Sequence, residues 1–456
     1  MIVTENRCEI CIFIRKYTCN LLIMPRLSIK NIGPIKEVDI ILNKINLIIG
    51  PQSSGKSTIN KIACYCTWVE KTVSLAQSFE FFMKDNSFLD NLVNFHKLKG
   101  YFREDSYIEY ESNVVRFSYL YSENLPHFEW IDKYGYIRPK ISYIPAERNI
   151  VSMISDWGQV NLPNNNIFNF MSDWNVARKL YTYDHNLPID YIGAKYFYDE
   201  NSDMDFLETE DGNRIQLINA SSGQQSLTPL FVLIKYFTEE IYDKKQTKRK
   251  VRDGEREMKL ISQLFYHSLA GIVDNKSVPN DDIKIQQFLY KTLADIDTKL
   301  SSDKREKFIK EIAASFFHFL EVNYTSLFIE EPELNLFPST QRELLYFLIN
   351  TMNANNHRLF MTTHSPYILY ALNNCMMGWL VKDRLPKGSA DKLQSSRSWI
   401  DPKQVSAWQI ENGRLVTIQE KFTGNIGKHY FNRIMNDTMD EYYVMLNYLN
   451  PKEYEK

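Results

Sequence analysis

Residues Gly50-Pro51-Gln52-Ser53-Ser54-Gly55-Lys56-Ser57 follow directly on the apolar run Ile45-Asn46-Leu47-Ile48-Ile49 and lead into the helix-like stretch from Thr58 to Ala63. They match G-x-x-x-x-G-K-[ST] without a mismatch, at the junction of a buried strand and a helix where that pattern has a use. Backbone N–H groups of such a loop wrap an anionic phosphate, and the helix start adds the positive end of its dipole. Lys56 is then placed for the β- and γ-phosphates, and the Ser57 hydroxyl for Mg²⁺. Gly50 to Thr58 is the candidate loop for a nucleoside triphosphate.

Three later segments bear on what the nucleotide does. Tyr324 to Glu330 is a short apolar run ending in Glu330-Glu331-Pro332-Glu333. A carboxylate at a strand's C-terminal end beside a phosphate loop suits Mg²⁺, and the next one suits the attacking water. Glu330 takes the first role and Glu331 the second. His357 to Thr363 is a second buried strand, ending at His364-Ser365-Pro366, with His364 placed to contact a γ-phosphate. Ala220-Ser221-Ser222-Gly223-Gln224-Gln225-Ser226 precedes an apolar helix from Leu227 to Ile241 and offers a second helix-start anion site. A plain N-cap at Ser221 or Ser222 is the simpler reading of that turn.

Taken in order, these segments resemble the ABC-type ATPase heads of the SMC and RecF group. They are similar above all to the OLD-type ATPases of bacterial defence systems, through Glu330 to Pro338 and Thr362 to Pro366. The resemblance implies ATP and Mg²⁺ as ligands, Gly50 to Thr58 as the Walker A loop, and Glu330 and Glu331 as the Walker B end. It further implies Glu333 to Phe337 as the D-loop region and His364 as the switch histidine. Ser222, Gly223, Gln224 and Gln225 stand for the ABC signature, which acts in trans on the partner's nucleotide in a homodimer or higher oligomer. Tyr143 to Asn149 resembles a segment ahead of the signature in these ATPases, with Glu147 and Arg148 coupling nucleotide to lid.

Two departures qualify the resemblance. Glu330 stands where many ABC ATPases carry Asp. OLD nucleases also carry a Toprim domain with a Glu and a separate Asp-x-Asp, whereas after His364 Asp383, Asp391, Asp401, Asp437 and Asp440 are scattered. The chain therefore looks like an ATPase subunit whose nuclease or toxin is a separate polypeptide answering a phage-encoded trigger, nearest in style to the ATPase subunit of the PARIS anti-phage system. Asp203-x-Asp205 reads as a solvated turn. The competing readings are a DNA-repair ATPase of the RecF kind and a nucleotide-gated scaffold with negligible turnover.

Net charge of −2 supplies no global basic field for DNA, and the basic run Lys244 to Arg252 is followed at once by acidic residues. No stretch of about 18 apolar residues exists for a membrane span, and the first 23 residues lack a secretory pattern. Cys8, Cys11 and Cys19 have partial metal-knuckle spacing but no clear fourth ligand, so reduced thiols in a cytoplasmic protein are expected.

The expected fold is α/β, a P-loop NTPase of ABC-ATPase type: a doubly wound sheet with an antiparallel β-subdomain and an inserted helical arm. Its parts are an extension at 1–23, with Met24 as an alternative start, and a head at 24–241 including a lid over 151–190. A helical insertion at 242–318, with stripes such as Ile285, Phe288 and Leu289, is followed by the rest of the head at 319–385. A hairpin turning at Asn412-Gly413 and a closing helix from Tyr430 fill 386–456.

Overall fold

The computed structural model describes residues 24–84, 86–133, 135–154, 163–242 and 321–449. Strands β1 (Arg26–Ile32) and β2 (Ile35–Ile41) pair antiparallel, from Arg26 opposite Ile41 to Ile32 opposite Ile35. In β3 (Ile45–Ile49) every residue is buried, as a strand must be when helices cover both faces of its sheet. The phosphate loop leads into α1 (Lys56–Ala76), then α2 (Ser87–His96). Strands β4 (Tyr107–Glu111), β5 (Val115–Leu120) and β6 (Pro126–Trp130) form an antiparallel meander, and β7 (Pro139–Ile144) follows.

After α3 (Asn166–Arg178), β8 (Leu187–Ile189), β9 (Ala194–Asp199), β10 (Met204–Thr209) and β11 (Arg214–Gln216) build a small antiparallel sheet. Helix α4 (Ser222–Thr238) follows. The remainder runs β12 (Tyr324–Glu330), α5 (Pro338–Ala354), β13 (Arg358–Thr363), α6 (Pro366–Val381), β14 (Val405–Glu411), β15 (Arg414–Thr417) and α7 (Tyr430–Leu446).

The main sheet has 11 strands in the order β6-β5-β4-β1-β2-β15-β14-β3-β13-β12-β7. Its β14-β3-β13-β12-β7 half is parallel. Alternate residues of these strands enter opposite cores. Ile45, Leu47, Ile49, Leu327, Ile329, Leu359 and Met361 face the core shared with α3 to α6. Ile48, Phe328 and Phe360 face the core shared with α1 and α2. Two-sided burial of this kind is the doubly wound α/β arrangement. The expected fold class stands.

One detail refines the reading of the sequence and two differ from it. The antiparallel strands β1, β2 and β4 to β6 are continuous with the parallel half: β15 bridges β2 to β14, so both share one sheet. Asp203 is exposed in a turn, as expected, but Asp205 is not solvated. Arg178 bonds both, the Tyr196 hydroxyl donates to Asp205 at 2.5 Å, and Asp205 is buried deeply enough to raise its pKa. A carboxylate before a hairpin reads as solvated only while the cation that covers it is unknown. Helix α7, expected to close the fold, buries none of its residues; Met435, Tyr442 and Met445 are exposed.

The insertion at 242–318 lies, apart from Tyr242, outside the described residues, as do Cys8, Cys11, Cys19 and the basic run. Among the described residues no helix is long and apolar enough to cross a membrane.

Candidate functional site

The parallel strands β3, β12 and β13 end side by side: Thr362 lies opposite both Glu330 and Ile48, and Thr363 opposite Ile49. Loops leaving these ends share one edge of the sheet, where an open α/β fold binds its ligands. The phosphate loop turns into α1 at Gly55, whose φ of 106° lies in the region that glycine tolerates. A Cβ there would also stand 2.9 Å from Ile35 Cγ1, so the β1–β2 turn presses against the loop. Lys56 is 5 % exposed, and its Nζ donates to the Gly50 and Pro51 carbonyls at 2.9 and 2.8 Å. Burial lowers its pKa to about 8, against the opposing pull of Glu331 and Glu333.

Glu330 ends β12 and is buried; Glu331 then leaves the strand with a φ of 44°. A non-glycine residue in that region costs about 1–3 kcal/mol and persists only where its surroundings hold it. Here the Glu331 N–H donates to Thr362 O at 2.9 Å, and three carbonyls of the turn are held by Arg148.

His364 Nε2 stands 3.5 Å from Glu331 Oε1, and the His364 N–H donates to Glu333 Oε1 at 2.6 Å. The next residue starts α6: Ser365 Oγ accepts from the Tyr367 and Ile368 N–H groups at 3.1 and 3.3 Å, with Pro366 in the first turn. That cap fixes where His364 sits. Burial first, and Lys56 second, lower the imidazole pKa, while Glu331 opposes them. Lys56, Glu331, Glu333 and His364 thus form one cluster.

The serine-glycine turn is organised differently. Ser221 is the N-cap of α4, in a reciprocal pair with Gln224: Ser221 Oγ accepts from Gln224 N–H at 3.4 Å and Gln224 Oε1 accepts from Ser221 N–H at 3.1 Å. Ser222 is exposed. A Cβ on Gly223 would lie 2.9 Å from Asn335 O, in the loop after the carboxylates. Gln225 Nε2 donates to Ile218 O at 2.7 Å. Among the described residues no hydrogen bond joins 221–225 to 50–58. Arg148 bonds both Ser226 and the carboxylate turn and is fully buried, whereas Glu147 is exposed.

The Mg²⁺ expected at Ser57 and Glu330 can be tested on the protein's own atoms. Glu330 Oε1 is buried and has no hydrogen-bond partner, while burial, and Glu330 next, push the neighbouring Tyr143 phenol well above its usual pKa. A buried carboxylate oxygen without a donor suits a cation, and a half-buried Ser57 at the start of α1 suits the same ion. The residues fit. Among the described residues no group of three or more His, Cys, Asp or Glu is placed to hold a metal by itself. Mg²⁺ held by one or two protein oxygens plus phosphates and waters does not need such a group.

Reading the sequence placed Glu333 in the D-loop region, with no role towards His364. The structure makes it a half-buried acid with a raised pKa, caused first by desolvation, that anchors His364. The Glu-Glu-Pro-Glu spacing could have pointed to it, since a tight turn returns the third carboxylate towards the first two. Ser152, which donates to Gln225 O at the α4 start, carried no signal in the sequence.

The AAA ATPase domain family matches residues 308–369, the segment that carries Glu330, Glu331, Glu333 and His364. With the phosphate loop beside it, the chain is an ATPase. No curated protein matches the sequence. Among solved structures, the chain is similar to the SMC head domain from Thermotoga maritima, at 10 % identity and a TM-score of 0.34, over 87 % of this chain and 99 % of that one. An SMC head bound to the C-terminal winged-helix domain of ScpA aligns at 8 % identity and a TM-score of 0.34, over 88 % and 98 % of the two chains. The recombination mediator RecF aligns at 10 % identity and a TM-score of 0.28, over 87 % and 98 %. Likeness at this level transfers no residue's role.

Proposed function

We propose that this ATPase works at two composite sites in a dimer. Each site is built from one protomer's phosphate loop and carboxylates and closed by its partner's serine-glycine turn. The observation that carries this reading is a division of labour within one chain. Lys56, Glu331, Glu333 and His364 converge, while Ser221 caps α4 with Gln224 and Ser222 is exposed.

In the reaction, Lys56 exchanges the Gly50 and Pro51 carbonyls for β- and γ-phosphate oxygens. Glu331 orients the attacking water and accepts its proton. Glu333 and the α6 cap hold His364 at the γ-phosphate end of the cluster, where its imidazole hands Glu331 over to the water. Mg²⁺, held by Ser57 and Glu330, would neutralise charge on the phosphates. The nucleotide state governs a separate nuclease or toxin effector in defence against phage. That last part rests on the resemblance of the motif set to OLD-type and PARIS ATPases.

Glu331→Gln tests the reading. It should bind ATP as the wild type does, lose about 10²–10⁴-fold in turnover, and accumulate as an ATP-bound dimer in light scattering. Wild-type turnover by the variant, or an ATP-saturated monomer, would overturn it.

A further inference from the structure

We infer that Arg148 is a positioning residue that locks the start of α4 to the carboxylate turn of its own protomer, so that closure of one composite site sets the catalytic geometry of the other. The inference rests on the composite-site reading above.

Arg148 is fully buried, and all its hydrogen bonds go to main-chain carbonyls. Its Nε donates to Ser226 O at 3.1 Å, Nη1 to Glu330 O at 3.1 Å, and Nη2 to Glu331 O and Pro332 O at 2.9 and 3.1 Å. Burying a guanidinium without a paired carboxylate is expensive. What it secures here is geometry, because the planar fork fixes two segments relative to each other. One prong holds α4 and the others hold the turn that places Glu331.

The α4 side is prepared for this contact. Pro229, inside the helix, has no N–H for the carbonyl four residues back, that of Gln225. Ser152 Oγ donates to Gln225 O instead, at 3.0 Å, and Arg148 takes the next carbonyl, Ser226. Both donors come from one short stretch after β7. A second strut lies opposite: Asn335 Nδ2 donates to Ser226 Oγ at 2.9 Å, and Gly223 packs on Asn335 O too closely to admit a Cβ. The serine-glycine turn and the carboxylate turn therefore move as one block. A partner's nucleotide pressing on Ser222 displaces Glu331 in the first protomer's own site.

Two variants test this. Arg148→Lys keeps the charge but cannot span four carbonyls, and Asn335→Gly keeps the left-handed backbone at φ 60° while removing the strut. Both are titrated with a fluorescent ATP analogue, assayed for turnover against ATP concentration, and checked for folding by thermal melting. We expect nucleotide affinity within about twofold of wild type, kcat lowered about tenfold in Arg148→Lys and about threefold in Asn335→Gly, and Hill coefficients falling towards 1. Wild-type kcat and Hill coefficient in both variants overturn the inference, as does a kcat loss matched by equal loss of affinity, which marks a loosened fold. If Arg148→Lys does not fold, Asn335→Gly decides with the same two outcomes. Full turnover by Ser222→Arg alone would sink the composite-site reading, a different result from any of these.

Discussion

Lys56 should make ATP binding depend on pH in a range where an ordinary lysine is silent. Its ammonium is buried against the Gly50 and Pro51 carbonyls, and desolvation brings its pKa down to about 8. Contact with β- and γ-phosphates favours the charged form, so bound nucleotide raises the pKa again. The sign follows: above about pH 8 the free protein has lost the proton that the complex needs, and binding takes one up. The charged fraction falls from about nine-tenths at pH 7 to about one-tenth at pH 9, so the apparent Kd should weaken about tenfold, or about 1.4 kcal/mol. A lysine with an ordinary pKa would change Kd by only a few per cent over that range. Calorimetric titration of Mg-ATP in two buffers of different ionisation enthalpy measures the uptake directly, with about half a proton expected at pH 8. Lys56→Ala serves as control. It should lose at least about 100-fold in affinity, since charge-assisted bonds contribute about 1.5–3 kcal/mol each. Constant affinity between about pH 7 and 9 with no proton uptake would refute the burial argument, and unchanged affinity in Lys56→Ala would refute the phosphate-loop assignment.

Ser222→Arg should block turnover while leaving ATP binding nearly intact, because the added bulk occupies the exposed face of the α4 start. Mixing it with Lys56→Ala should restore part of the activity, since one site of a mixed dimer then carries both lesions and the other none; no recovery at any ratio would mean that a single intact site is insufficient. Stability should fall in mild acid. His357 Nδ1 accepts from Thr325 N–H at 3.0 Å and its Nε2 donates to Thr238 O at 3.2 Å, and burial lowers the pKa to about 4; burial takes His96 to about 3. Both folded pKa values lie below the ordinary 6.5, so their contribution is present above about pH 6.5 and is lost as pH falls towards 4, by about 2 kcal/mol per imidazole between pH 7 and 5. Urea midpoints that coincide at those two pH values would show that these imidazoles are not held neutral.

What the amino-acid sequence determined by itself is what short-range chemistry encodes. The five-residue apolar run before Gly50, the glycine that alone accepts the turn into α1, the apolar strands ending in Glu330 and Thr363, and the Ser221 cap are local patterns. A strand buried on both faces, a left-handed turn or a helix start needs particular residues within a few positions of one another. The placement of Lys56, Glu330, Glu331 and His364 at one sheet edge followed from those patterns, since parallel strands bring their C-terminal ends together. Only the tertiary structure decided the rest. Arg148 lies 78 residues before Ser226 and 182 before Glu330 in the chain, yet it bonds the carbonyls of both. Asp205 looks solvated until Arg178 covers it, and α7 looks like a closing helix until it is seen to stand exposed. In each case the deciding quantity is which distant group removes water from a charge or an apolar face, and chain spacing carries no record of that.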